Sequence, residues 1–185
     1  MSRIQTLEPE NAPQTTVALY DAVKKKLGLV PNMVKALGNS PAALQGYLGL
    51  SGAVASGTLS AVIREKIALL SAELNGCEYC LRAHTAIGGL MKIPESQLSS
   101  ARRGESEDLK EQAILTLAKA VIENKGNVPE STQVAVKSAG VSEAEAAEVI
   151  ANVAVNLYTN YFNSYAQVEC EFPAVETCEC GSCGH

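Results

Sequence analysis

The sequence contains no tryptophan, and among its 185 residues only two are phenylalanine and two histidine. A core with so few large rings has to be closed by alanine, leucine and valine, which suits tightly packed helices. A basic stripe is also missing. Lysine and arginine together number 15 against 20 acidic residues, a net charge of −5. That balance argues against nucleic acid or an anionic membrane as a partner. No uninterrupted apolar run is long enough to span a bilayer. The opening MSRIQTLEPE has no apolar stretch of the kind that heads a secretory signal, so a cytoplasmic location is the expectation.

The six cysteines are not spread as a disulfide framework. Cys77 and Cys80 stand together mid-chain, and four more follow from Cys170 onward. Clustered cysteines in an intracellular chain point to catalysis or metal binding rather than to structural bridges. Both histidines, His84 and His185, sit beside cysteines. With so few histidines, that placement carries information.

The stretch from Ser60 to Gly89 organises the rest. It reads as two helices, the first N-capped by Ser60 and ended by Gly76, the second running from about Cys77 until Gly88 and Gly89 weaken it. Cys77, Cys80 and His84 are spaced three and then four, so they share one helix face. A helix N-terminus favours the thiolate, which is the reactive form of cysteine. A histidine one turn on can take the thiol proton, and a second cysteine can capture a sulfenic acid as a disulfide. If the helices form an antiparallel hairpin, Glu65 reaches His84 and orients it. A zinc site made by Cys77, Cys80, His84 and Glu65 is the competing reading of the same residues.

These residues carry a family resemblance. Glu65, Cys77-Glu78-Tyr79-Cys80 and His84, at these spacings, resemble the core motif of the carboxymuconolactone decarboxylase superfamily, in its AhpD-like, alkylhydroperoxidase (peroxidase-related) branch. The resemblance implies an all-α fold, an AhpD-like helical bundle with a central helical hairpin. It also implies homo-oligomers, trimers or hexamers, and a Glu65–His84 proton relay serving a Cys77/Cys80 dithiol. Decarboxylases of the superfamily typically lack the cysteine pair, so the pair argues for redox chemistry. Some AhpD proteins have histidine where Tyr79 stands. Val30-Pro31-Asn32-Met33 and the stretch from Asn160-Tyr161-Phe162-Asn163 to Phe172-Pro173 resemble the peroxidase-related subgroup. Members often carry histidine at the place of Ser164 and an acidic residue at that of Cys170.

The rest of the chain reads as further helices. One runs from Thr15 or Thr16 to Leu27, a short one follows Pro31, and one runs from Pro41 to about Ala55 behind an N-capping Ser40. In the last, Gly46, Gly49 and Gly52 recur every third residue and suggest close packing or a subunit interface. After Pro94 come a short helix and a surface connection with Arg102-Arg103. An amphipathic helix is expected from about Glu107 to Asn124 behind Ser106, with Ala113, Leu117 and Val121 on its buried stripe. Pro129 opens another short helix. A capping box of Ser142 and Glu145 starts the last one, which runs from about Glu143 to Tyr165 or Val168. On it Ile150, Ala154, Leu157 and Tyr161 form one face, and Asn152, Asn156, Asn160 and Asn163 form a polar ridge.

A single helical domain over residues 1–175 is therefore expected, followed by a Cys-rich tail over 176–185. The expected activity is a thiol-dependent peroxidase. Glu65 polarises His84, His84 takes a thiol proton, and one thiolate, with Cys80 favoured, attacks a peroxide. The other cysteine then closes the disulfide, and an external dithiol reduces it. Tyr79, Asn160 and Asn163 are candidate substrate-binding residues, the two asparagines alternatively buried helix contacts. The catalytic reading needs no cofactor. Cys178, Cys180, Cys183 and His185 in the tail are soft ligands that can wrap zinc or copper(I), with Cys170 as a substitute, or can serve as extra exchange thiols. The alternatives to a peroxidase are a thiol–disulfide reductase or electron adaptor, a decarboxylase-like lyase on a lactone acid, and a metal-binding protein.

Overall fold

A computed structural model describes residues 2–175. The metal candidates Cys178, Cys180, Cys183 and His185 lie outside the described residues. Among those described, the regular structure is helical throughout, a 3-10 turn at Pro9–Asn11 followed by nine α-helices. These are α1 (Gln14–Leu27), α2 (Asn32–Leu37), α3 (Pro41–Ala55), α4 (Ala61–Leu74), α5 (Glu78–Leu90), α6 (Glu95–Arg102), α7 (Leu109–Glu123), α8 (Glu130–Ser138) and α9 (Glu143–Ala166). The expected all-α bundle with a central hairpin is therefore found. No helix among the described residues is long and apolar enough to cross a membrane.

The axis of the bundle is α4. It packs against α5, α6, α7 and α9, and eight consecutive or near-consecutive positions from Ile63 to Ala72 are buried. Ser60 starts it by accepting a hydrogen bond from the Ile63 amide. Gly76, in the left-handed region at φ 61°, turns the chain back into α5. One apolar cluster joins Ile63, Ile67 and Leu70 to Leu115, Val149 and Val153. A second joins Tyr20, Val34, Leu37 and Leu44 to Cys77, Cys80 and Leu81. Half of the hairpin thus serves each core.

Local details depart from the sequence expectations in three places. First, α7 begins at Leu109, because Asp108 accepts from the Lys110 and Glu111 amides and caps the helix, whereas Ser106 binds the Glu111 carboxylate. Second, of Arg102-Arg103 in the expected surface connection only Arg103 is exposed. Arg102 is buried against Glu73 at 2.6 Å, and Arg103 meets Glu105 at 2.9 Å. Third, none of the described residues stands within 4 Å of the place a Cβ would take at Gly46, Gly49 or Gly52, so close packing among the described residues does not explain them.

The last helix has a further twist. Its asparagine ridge points inward, with Asn152, Asn156, Asn160 and Asn163 all buried, while Ile150 and Tyr161 are 51% and 62% exposed. Val149 and Val153 share the inner face and anchor it to the α4 core. Two amides are accommodated there by donating to their own helix. Asn152 bonds the Glu148 carbonyl and Asn156 the Asn152 carbonyl, both at 2.8 Å.

One buried charge depends on a single partner. Lys66, with a side chain 5% exposed, meets Glu111 at 2.6 Å. Removing one partner of such a pair leaves an unpaired buried charge, whereas replacing the charge by an apolar group does not. Glu111→Ala is expected to cost stability toward the lower end of the roughly 3–5 kcal/mol range for buried pairs, and Lys66→Met less than half as much. Urea unfolding of both variants checks the order, and equal losses would contradict it.

Candidate redox site

Cys77 is the N-cap of α5, and its sulfur accepts a hydrogen bond from the Cys80 amide at 3.3 Å. Serine or aspartate usually fills such a position, so here sulfur stands where a helix end offers its unpaired N–H groups. Cys77 and Cys80 form a disulfide, with Cα atoms 5.3 Å apart. Both residues are buried, 2% and 3% exposed. The Cys80 sulfur accepts a second kind of donor, the Asn163 side-chain amide on α9, at 3.3 Å.

One turn past Cys80, His84 Nδ1 lies 2.6 Å from Glu65 Oε1. The contact joins α5 to α4 across the hairpin, as the spacing led one to expect. Burial pushes the imidazole toward its neutral form, but the Glu65 charge and hydrogen bond outweigh it, and the net shift of His84 is upward. Glu65 and His84 line a cavity of about 150 Å³ together with Tyr47, Ser51, Asn152 and Asn156. Neither cysteine lines it.

The other face of the cysteine helix is covered by the segment after α9. Phe172 and Cys170 pack on the cluster that holds both cysteines. The Arg82 guanidinium donates to the Phe172 carbonyl and to that of Pro173. Tyr79 stacks edge-on against Phe172, its hydroxyl 3.1 Å from Glu171 and 3.2 Å from the Met33 amide. Burial raises the Tyr79 pKa, so the phenol stays neutral. The Cys170 thiol is free, and burial pushes its pKa up despite the nearby Phe172 amide and Arg82.

Of the residues singled out from the sequence, Glu65, His84, Cys77 and Cys80 come together on one hairpin. Asn163 reaches Cys80, and Asn160 is held by the Asn75 amide at 3.1 Å. Tyr79 serves the cover, and none of Tyr79, Asn160 and Asn163 lines the cavity. Tyr47 and Arg82 carried no local signal, because the cavity walls Tyr47 joins and the carbonyls Arg82 binds come from segments far away in sequence, whereas Asn156, already named on the polar ridge, bonds a carbonyl of its own helix. Among the described residues, no group of three or more histidine, cysteine, aspartate or glutamate side chains is placed to hold a metal ion. With both sulfurs in a disulfide, the zinc reading of Cys77, Cys80, His84 and Glu65 has no thiolate ligands in this state.

Residues 41–103 match the carboxymuconolactone decarboxylase family. The match runs from the first residue of α3 to the cap of α6, and so contains the hairpin and the whole Glu65, Cys77, Cys80 and His84 constellation. The resemblance read from those four residues is thereby shown. No curated protein matches the chain. Among solved structures, a peroxidase-related protein from Ralstonia eutropha JMP134, described as an alkylhydroperoxidase AhpD core, is 23% identical, with a TM-score of 0.81 and 92% of each chain covered. A peroxidase-related protein from Silicibacter sp. TM1040 is 22% identical, with a TM-score of 0.76 over 90% of this chain and 92% of its own. The debrominase Bmp8, in complex with 2,3,4-tribromopyrrole, is 20% identical, with a TM-score of 0.79 and 92% of each chain covered. At these identities the likeness establishes the AhpD-like fold.

The Glu65–His84 pair has a signed consequence. A histidine pKa raised on folding contributes stability that is fully present below the unfolded value of about 6.5 and is lost as pH rises through the folded value. NMR titration is expected to place the His84 midpoint above that of an ordinary histidine. In Glu65→Gln only burial remains, and the midpoint is expected to fall below the ordinary value. A midpoint that does not move between the two proteins would contradict the pairing.

Proposed function

We propose that the protein is a thiol-dependent peroxidase that reduces hydrogen peroxide or organic hydroperoxides through a Cys77/Cys80 dithiol–disulfide cycle. The observation that carries this reading is the pairing of the two sulfurs at the start of α5 with a Glu65–His84 contact one turn further on. In the reduced protein His84 takes the thiol proton, with Glu65 holding the ring. The Cys80 thiolate attacks one oxygen of R–O–O–H. An S–O bond forms, the O–O bond breaks, and the departing alkoxide takes a proton to leave as ROH. The Cys77 thiol then attacks the Cys80 sulfenic acid, closing the disulfide and releasing water. An external dithiol returns two electrons and two protons by exchange. Exchange requires a thiolate to reach a sulfur, so the cover over residues 168–175 has to admit it.

A lyase reading has one observation in its favour, since Glu65 and His84 line the cavity and the cysteines do not. On that reading the pair moves a proton on a lactone acid and the disulfide is structural. Bmp8, a debrominase seen with 2,3,4-tribromopyrrole, adds a brominated pyrrole as a further compound to assay.

The protein is further proposed to work as a homo-oligomer, a trimer or hexamer. Leu50 on α3 and Ile150 and Tyr161 on α9 are exposed, and a Cβ added at Gly46, Gly49 or Gly52 on α3 would meet nothing within 4 Å among the described residues. A second copy of the same surface is the occupant that would cover both helices. Light scattering is expected to give a mass of three or six chains, and a monomer at all concentrations would overturn this.

The deciding assay is consumption of peroxide with dihydrolipoamide as reductant. Wild type is expected to turn over and Cys80→Ser to lose at least a hundredfold. Glu65→Gln and His84→Ala are expected to lose about 10²-fold, the lower end of proton-transfer contributions. If Cys80→Ser keeps wild-type activity on a lactone acid while the relay variants lose it, the lyase reading replaces the peroxidase.

A further inference from the structure

We propose that Asn163 is a catalytic residue of the dithiol site, holding its side-chain N–H on the Cys80 sulfur so that Cys80 carries the thiolate. The inference rests on the redox reading of the two cysteines and assigns a donor to one of them.

The contact is 3.3 Å from Asn163 Nδ2 to Cys80 Sγ, between α9 and α5. Which end of the amide faces sulfur follows from the chemistry. A disulfide sulfur carries no hydrogen and only accepts, and a thiolate likewise only accepts, so in both states the amide must present its nitrogen. A hydrogen bond to the charged form of an acid favours that form, and here the charged form is the nucleophile.

A packing role alone does not account for the amide. Asn163 is 5% exposed, and its Oδ1 has no hydrogen-bond partner among the described residues. A buried acceptor left unmatched is destabilising, so an apolar side chain of similar size would serve the fold better. Asn152 and Asn156, higher on the same ridge, use their donors on the carbonyls of their own helix. Asn163 instead turns its donor away from the helix and onto a sulfur.

The arrangement also separates the two cysteines. Cys77 accepts from the Cys80 backbone amide, which no side-chain substitution removes, whereas Asn163 acts on Cys80. The other ionisable groups around the site are Cys77 itself, His84 with Glu65 from α4, Tyr79 on α5, and Cys170 and Glu171 on the covering segment, with Arg82 and Glu78 at its edge. Substituting Asn163 leaves all of them in place.

The test is a thiolate titration by absorbance at 240 nm. It uses the full-length chain with Cys77, Cys170, Cys178, Cys180 and Cys183 replaced by serine, so that Cys80 is the only thiol. Asn163→Leu keeps the volume, removes the donor and removes the unmatched oxygen. It is expected to raise the Cys80 pKa by about one unit, a tenfold loss of thiolate below the pKa, with no loss in melting temperature. Asn163→Asp keeps the shape with a carboxylate in place of the donor and is expected to raise the pKa at least as far. A Cys80 pKa that stays within about 0.3 units of the parent in both variants, against about one unit expected for the lost bond, overturns the proposal. So does a shift confined to the aspartate variant. No peroxide enters the measurement, so it can fail while peroxide turnover stands, or hold if turnover is absent.

Discussion

A histidine and a carboxylate 2.6 Å apart can share a mostly buried site only if each holds the other in place, and in this protein everything around Glu65 and His84 serves that requirement. The two lie on different helices. Their meeting demands a tight reversal after α4, which Gly76 supplies, and an α4 pressed firmly enough into the bundle that its carboxylate does not swing to water. The Ser60 cap, the apolar face of Ile63, Ile67 and Leu70, and the packing of α7 and α9 on that face all contribute to this. Without that frame the imidazole pKa would shift downward instead of upward, because burial alone disfavours the charge.

The two sulfurs sit at the start of α5 in the same hairpin, within an apolar cluster. Each sulfur has a donor of its own kind, a helix-end amide for Cys77 and a side-chain amide for Cys80. Both sit among Val34, Leu37, Leu44 and Tyr20 rather than in open solvent. Glu65 and His84 therefore open to a cavity, while the disulfide lies in the cluster covered by the segment that Arg82 and Tyr79 contact. A dry setting strengthens every hydrogen bond made there. On the proposed redox reading, a substrate or a second thiol reaches the sulfurs only past the covering segment.

Much of this was legible in the order of residues because helices make neighbours out of fixed spacings. Cys77, Cys80 and His84 fall on one face by arithmetic, and Glu65 at its distance before Cys77 meets His84 once a single turn is granted. On the last helix the same arithmetic drew two faces without settling which goes inward. Ile150 and Tyr161 turn out exposed and all four asparagines buried, as the reading of Asn160 and Asn163 as buried helix contacts had it. A hydropathy pattern cannot register that Asn152 and Asn156 satisfy their donors on their own backbone, nor that Asn163 has a sulfur to serve. Tyr47 and Arg82 were invisible for a related reason. The carbonyls that Arg82 binds and the cavity walls that Tyr47 joins are contributed by distant segments, and such neighbours leave no mark in the local sequence.

The division follows from the range of the forces involved. The sequence by itself determined the helices, their caps, the hairpin turn and the face shared by the two cysteines and the histidine, because those depend on contacts within a few residues. Tertiary structure alone decided which face of α9 went inward, that Lys66 would be buried on Glu111, that a cavity would open at Glu65 and His84 and not at the sulfurs, and that an amide from α9 would settle on Cys80. Those outcomes depend on burial and on partners far apart in the chain, where the cost of an unmatched polar group is set by whatever the fold brings alongside it.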